Sequence, residues 1–102
     1  LGYAAPEQWE LSGKQLDGRC DLYALGATMY KMLTGHLPYP DAREVGVWYV
    51  RARQPPVPPA QLRADTPRAL SELVLRMLAF YPEDRPADAA KVLKTLEATQ
   101  AI

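Results

Sequence analysis

Few residues of this sequence are equipped for chemistry, and fewer are spaced for it. The one histidine, His36, stands in His36-Leu37-Pro38 directly after Gly35, where a loop residue behind a helix end is the expected reading. The one cysteine, Cys20, can close neither an internal disulfide nor a cysteine-rich zinc site, so packing must hold the chain. The six glycines do not space as G-x-G-x-x-G. Phosphoryl transfer would need such a loop, a lysine for the phosphate oxygens, a catalytic aspartate and magnesium ligands, and none of these is recognisable. What remains is a set of charged residues at informative places. Glu7 follows Pro6 in what reads as a first helical turn, Asp21 opens an otherwise apolar stretch, Lys31 lies near the end of that stretch, and Arg85 stands between Asp84 and Pro86. By themselves, Glu7 is a solvated first-turn glutamate, Asp21 a cap or dipole partner, and Lys31 a solvated helix residue.

The elements that must position these groups are helical. Pro6 to Leu11 reads as a short helix ended by Ser12-Gly13. From Arg19 to Thr34 one face carries Leu22, Leu25, Met29, Met32 and Leu33, while Tyr23, Ala24, Ala27 and Tyr30 make the other faces apolar, the pattern of a helix buried all round. Gly35 suits a left-handed C-cap, and Leu37-Pro38-Tyr39-Pro40 cannot continue the helix. Asp41 and Glu44 resemble a capping box for a helix near 42–53 that bears Val45, Trp48 and Tyr49. Gln54 to Pro59 is an extended, proline-rich connector. Thr66-Pro67 gives a cap and first turn for a helix near 67–79, in which Leu70, Leu73, Val74, Met77 and Leu78 fall at i, i+3, i+4, i+7 and i+8. Val92, Leu93 and Leu96 define a last amphipathic helix near 88–100. No strand-like alternation and no internal repeat occurs.

The 102 residues, 48% hydrophobic and 24% charged, have the composition of an ordinary globular domain or part of one. Twelve Lys+Arg balance twelve Asp+Glu, which argues against nucleic acid and leaves a helix-turn-helix DNA reader without its basic face. No apolar run approaches the roughly 18 residues of a membrane span, and no signal peptide opens the chain. The sequence starts on Leu1-Gly2-Tyr3, without methionine or lead-in, as an excerpt would.

Three motifs resemble, in order and spacing, the C-terminal lobe of serine/threonine protein kinases. Tyr3-Ala4-Ala5-Pro6-Glu7 is similar to the Y-x-A-P-E that closes the activation segment. Asp21-Leu22-Tyr23-Ala24-Leu25-Gly26 is similar to the D-x-x-x-L-G that starts the central helix F. Asp84-Arg85-Pro86, after Tyr81-Pro82, is similar to the D-P-x-x-R-P turn before the last helix. Leu33-Thr34-Gly35-His36-Leu37-Pro38-Tyr39 is closest in wording to the bacterial members. The resemblance covers the whole chain, residues 1–102, from the end of the activation segment through the last helix. It implies an all-helical bundle of about five helices centred on helix F.

It also implies roles. Ala5, Pro6, Glu7, Asp21, Gly26 and Arg85 would be structural, with Glu7 and Arg85 forming a largely buried ion pair that fixes the substrate loop to the core. Asp21 would orient a catalytic loop lying outside this sequence, and without that loop its carboxylate must find water or shift its pKa. Leu1, Gly2, Tyr3 and Lys31 would dock the protein substrate. Lys31 stands in Tyr30-Lys31-Met32 where many kinases place a glutamate, so it would repel a substrate arginine and favour an acidic residue. Thr28 takes a position usually aliphatic under the adenine-binding stack, and its hydroxyl can bond the carbonyl four residues back. No catalytic, cofactor or metal residue is expected among these residues. ATP and magnesium would belong to the complete kinase, together with its N-terminal lobe. A cytoplasmic location is expected, with any membrane anchor outside this segment. Two further readings compete: a non-catalytic interaction module presenting the Trp48 and Tyr49 helix to a protein partner, and an R-x-x-P-x-x-P ligand for an SH3-type groove in Arg53 to Pro59. Because upstream sequence would normally cover one side of the central helix, the segment alone is expected to expose apolar surface.

Overall fold

Proline and glycine punctuate the structure much as they punctuate the sequence. The computed structural model describes residues 2–9 and 18–100, apart from the side chains of Trp9, Thr99 and Gln100. Leu1 and the expected end of the first helix at Leu11 with Ser12-Gly13 lie outside the described residues. A 3-10 turn, Pro6–Trp9, leads to five α-helices: α1 (Arg19–Thr34), α2 (Val45–Arg51), α3 (Pro59–Leu62), α4 (Arg68–Met77) and α5 (Ala89–Gln100), with a second 3-10 turn, Pro82–Asp84, before α5. The described residues contain no strand, so the expected all-helical class holds. No helix among them is long and apolar enough to cross a membrane.

Helix α1 is the centre of the bundle, packed against α3 and α4, and α4 in turn carries α5. Gly35 ends α1 as expected: at φ 81° it is left-handed, and its N–H donates to the Lys31 carbonyl at 2.8 Å. The close approach of α1 to α4 depends on Gly26, where an added Cβ would meet the Met77 Cβ at 2.8 Å. One core cluster gathers Tyr23, Ala27, Tyr30, Tyr39, Trp48, Val74 and Phe80, and a second gathers Leu22, Leu73, Met77 and Val92. Trp48 is 1% exposed and meets Tyr23 edge-on, with ring centroids 6.4 Å apart.

Several expectations are corrected here. Helix α1 is not buried all round: Leu25 is 43% and Met32 76% exposed, and with Asp21 and Thr28 they form one open stripe at i, i+4, i+7 and i+11. Apolar surface is thus exposed as anticipated, on this stripe and elsewhere. The Asp41/Glu44 capping box does not form. Glu44 is the extended residue before α2 and makes no side-chain cap, and Asp41 pairs instead with Arg51 at the far end of that helix. Helix α2, Val45–Arg51, is shorter at both ends than expected. Thr66 does not cap α4; its hydroxyl is buried without a partner, and Pro67, in an extended conformation, is the residue before the helix. Asp88 does cap α5, accepting the Lys91 N–H at 3.0 Å.

The proline connector is no free SH3-type ligand. The Tyr30 hydroxyl donates to the Val57 carbonyl at 2.7 Å, the Tyr39 hydroxyl donates to the Gln54 carbonyl, and Pro56 and Pro59 are buried. A groove-binding polyproline helix needs those faces exposed. Pro59 then begins the short α3, which the connector reading overlooked, and the Ser71 hydroxyl accepts the Ala60 N–H at 3.2 Å.

Candidate substrate-docking face and its anchor

The fold joins the two ends of the sequence through Arg85. Pro82 starts a 3-10 turn whose first carbonyl accepts the Arg85 N–H at 3.1 Å, and this aims the side chain inward beneath α1. Pro6 starts the other 3-10 turn and sets Glu7 opposite. There the Gln8 side-chain oxygen accepts the Ala5 N–H at 2.7 Å while the Gln8 N–H donates to the Ala5 carbonyl at 3.0 Å, so the turn is closed from both sides.

Arg85 employs all five of its N–H donors. Nη1 donates to Glu7 Oε2 at 2.6 Å and Nη2 to Glu7 Oε1 at 2.9 Å, a bidentate pair across 78 residues of sequence. Nε donates to the Ala79 carbonyl at 2.8 Å, Nη1 also to Arg19 at 3.1 Å, and Nη2 also to Phe80 at 3.1 Å. The guanidinium lies 5.0 Å from the Tyr23 ring centroid. The side chain is 0% exposed and that of Glu7 9%, so this is a desolvated pair rather than a surface one. One cation thereby fixes the first turn, the start of α1 and the chain just past α4. Only the Ala79 and Phe80 carbonyls had a signal in the sequence, since they follow the end of α4, where helix donors run out. Tyr23 under the guanidinium had none.

Burial pushes the phenol of Tyr23 above the ordinary tyrosine range, with Tyr39 adding and Arg85 opposing. Burial likewise raises Tyr39, helped by Tyr30. The Cys20 thiol is raised by burial and by the neighbouring carboxylates of Asp21 and Glu7.

Of the other residues singled out, Ala5 and Pro6 are buried, with Ala5 in the core cluster. Gly2 is buried at φ 97°, and an added Cβ there would lie 3.2 Å from Leu37 in the loop after α1, so the first residues sit against the same end of α1 that carries Lys31. Tyr3 and Lys31 are exposed. Asp21 is exposed on the open stripe of α1 and reaches water there. Thr28 donates to the Ala24 carbonyl at 3.0 Å, as its spacing predicts. His36 is an exposed loop residue. The structure does not bring Trp48 and Tyr49 to the surface as a partner patch, because Trp48 is core and Tyr49 packs on Phe80 with centroids 5.2 Å apart. The exposed apolar residues of α2 are Val45, Val47 and Val50. Among the described residues no group of three His, Cys, Asp or Glu side chains is gathered to hold a metal ion.

No family model matches the chain. Over 102 residues it is 39% identical to serine/threonine-protein kinase A of Synechocystis sp., a match spanning 99% of this chain and 19% of that protein. It is 40% identical over 99 residues to serine/threonine-protein kinase Pkn1 of Myxococcus xanthus, spanning 97% of this chain and 14% of that protein. It is also 37% identical over 95 residues to the tyrosine-protein kinase MasK of Myxococcus xanthus, spanning 93% of this chain and 14% of that protein. The chain spans no more than 19% of the length of these relatives. Along nearly its whole length the chain is related to bacterial serine/threonine protein kinases, and its helical fold is compatible with a segment of the helical C-terminal lobe of their catalytic domain.

Proposed function

We propose that this chain is the substrate-docking and structural part of a protein kinase that transfers the γ-phosphate of ATP to serine or threonine hydroxyls of proteins in the cytoplasm. ATP and magnesium would be held by residues outside these 102, and the segment alone would be inactive. Leu1, Gly2, Tyr3 and Lys31 would meet the substrate, with Lys31 favouring an acidic residue near the phosphoacceptor. Asp21 and the stripe through Leu25, Thr28 and Met32 would be covered by the catalytic loop and the upstream part of the domain. The observation that carries this reading is the buried Glu7 to Arg85 pair, which ties the segment expected to receive substrate to the helical core. The choice of serine or threonine over tyrosine rests on the names of the relatives and the wording around Leu33-Thr34-Gly35.

The test is a phosphorylation assay with labelled ATP and magnesium on the longest upstream-extended product of the reading frame, with the 102-residue chain beside it. Transfer to serine or threonine by the extended product alone is expected, and Lys31→Glu should shift preference from acidic toward basic peptides. Label on tyrosine would correct the residue specificity. No transfer by either product would favour a non-catalytic interaction module, for which the exposed Val45, Val47 and Val50 of α2 are the specific support.

A further inference from the structure

Two hollows share Arg76, one reaching the end of α2 and the chain after it, the other reaching α5. The first is a slot of about 480 Å³ with an apolar floor of Ala52, Leu75, Leu78 and Phe80, and with Arg53, Arg76 and Asp84 among its walls. The second, of about 250 Å³, gathers Arg76, Lys91 and Lys94 and has no acidic residue in its lining. Lys91 and Lys94 are three residues apart and so lie on one side of α5. Arg53 is held in place over two aromatic rings, 5.4 Å from the Tyr49 centroid and 5.5 Å from that of Phe80.

None of these four cations pairs with a carboxylate among the described residues. In the linings of the two hollows four cations stand against the single carboxylate of Asp84, an excess confined to those linings, since Glu72, Asp88 and Glu97 each lie a helical turn from Arg76, Lys91 and Lys94. Such an excess beside an apolar slot complements a ligand that is both acidic and apolar. We infer that this face is a docking site for an acidic peptide segment carrying an aromatic or branched apolar anchor. The anchor fills the slot, and the flanking carboxylates lie toward Arg53 on one side and toward Arg76, Lys91 and Lys94 on the other. The slot has the size of an ordinary ligand pocket, ample for one aromatic side chain. None of its lining belongs to the residues proposed to meet the phosphoacceptor, and the inference stands whether or not the chain serves phosphate transfer.

The probe is a fluorescein-labelled hexapeptide alternating glutamate with phenylalanine and leucine, titrated with the full-length protein and followed by anisotropy. Saturable binding is expected, weakened about tenfold or more by Arg76→Glu and by Lys94→Glu. Arg43→Glu, an equal charge change at an exposed site that lines neither hollow, should leave affinity within about twofold. A peptide with serine in place of phenylalanine and leucine should bind at least about tenfold more weakly. The two reversals are independent, so failure of one variant to fold leaves the other decisive. Absence of saturable binding, equal loss with Arg43→Glu, equal binding of the serine peptide, or tighter binding of an oligonucleotide of the same charge would each overturn the inference.

Discussion

Replacing Glu7 with alanine leaves the Arg85 guanidinium, 0% exposed, with three backbone carbonyls and no counter-charge. Replacing Arg85 instead strands the carboxylate and takes donors from the carbonyls of Arg19, Ala79 and Phe80 together. Breaking a buried pair by removing one partner costs about 3–5 kcal/mol, and each carbonyl left unsatisfied adds about 1 kcal/mol or more. Against a total stability of about 5–15 kcal/mol, Glu7→Ala should leave a weakened fold and Arg85→Ala a largely unfolded one. The measurable form is a double-mutant cycle on the milder pair Glu7→Gln and Arg85→Lys, by urea unfolding of the extended product followed by circular dichroism. Lysine keeps the positive charge but cannot reproduce the bidentate fork, so the cycle reports what the desolvated fork adds over a simple charge pair, and a coupling of about 2 kcal/mol is expected. Arg68 and Glu72 supply the internal reference, an i, i+4 pair with side chains 92% and 61% exposed, worth about 0.3–0.5 kcal/mol. A coupling at Glu7 and Arg85 no larger than that reference would refute the claim that this pair anchors the segment.

Gly26→Ala should destabilise by about 1–2 kcal/mol, because overpacking outweighs the roughly 1 kcal/mol gain in helix propensity; Met77→Ala should not rescue it, since the obstructing atom is the Met77 Cβ, which alanine retains. Alkaline pH should unfold the protein early. Tyr23 and Tyr39 are held above their ordinary range, so the folded state keeps protons that the unfolded state releases; stability is full below about pH 10 and then falls by up to about 1.4 kcal/mol per pH unit for each tyrosine. Urea midpoints across that range would read the slope. Tyr23→Phe should make it shallower without abolishing it, and at neutral pH should be neutral or stabilising by up to about 1 kcal/mol, because the Tyr23 hydroxyl is buried without a partner among the described residues. Leu25→Glu with Met32→Glu should make the 102-residue chain less prone to associate in sedimentation, yet abolish activity of the extended product, where that stripe is proposed to be covered.

The parts of this structure that were legible in the sequence are those governed by local rules. Helix α1 has the bounds its apolar run and Gly35 imply, and α4 buries Leu73, Val74 and Met77, with Leu78 directly after it, as their spacing requires. The misreadings share one cause, namely that a polar side chain has more partners in three dimensions than along the chain. Asp41 had a capping role available at the start of α2 and took Arg51 at the other end, and Thr66 could have capped α4 and was buried instead. Trp48 and Tyr49 show the same limit for apolar residues, because periodicity places them on a helix but does not say which face meets the core.

The anchor was legible by a different route. Neither Glu7 nor Arg85 is distinctive by local chemistry, and a free glutamate in a first turn would ordinarily stay in solvent. Their motifs placed them together, and the geometry supplies the physical reason that the arrangement is stable: every Arg85 donor has an acceptor, and three of those acceptors are carbonyls at element ends. That combination constrains more than a salt bridge alone. Sliding α1, α4 or the first turn relative to the others would break a hydrogen bond on a buried cation, so the end of the chain expected to receive substrate is held in register with the helix that carries Lys31. The open stripe of Asp21, Leu25, Thr28 and Met32 lies on that same helix, so a segment covering it would act on a scaffold whose position the anchor already fixes.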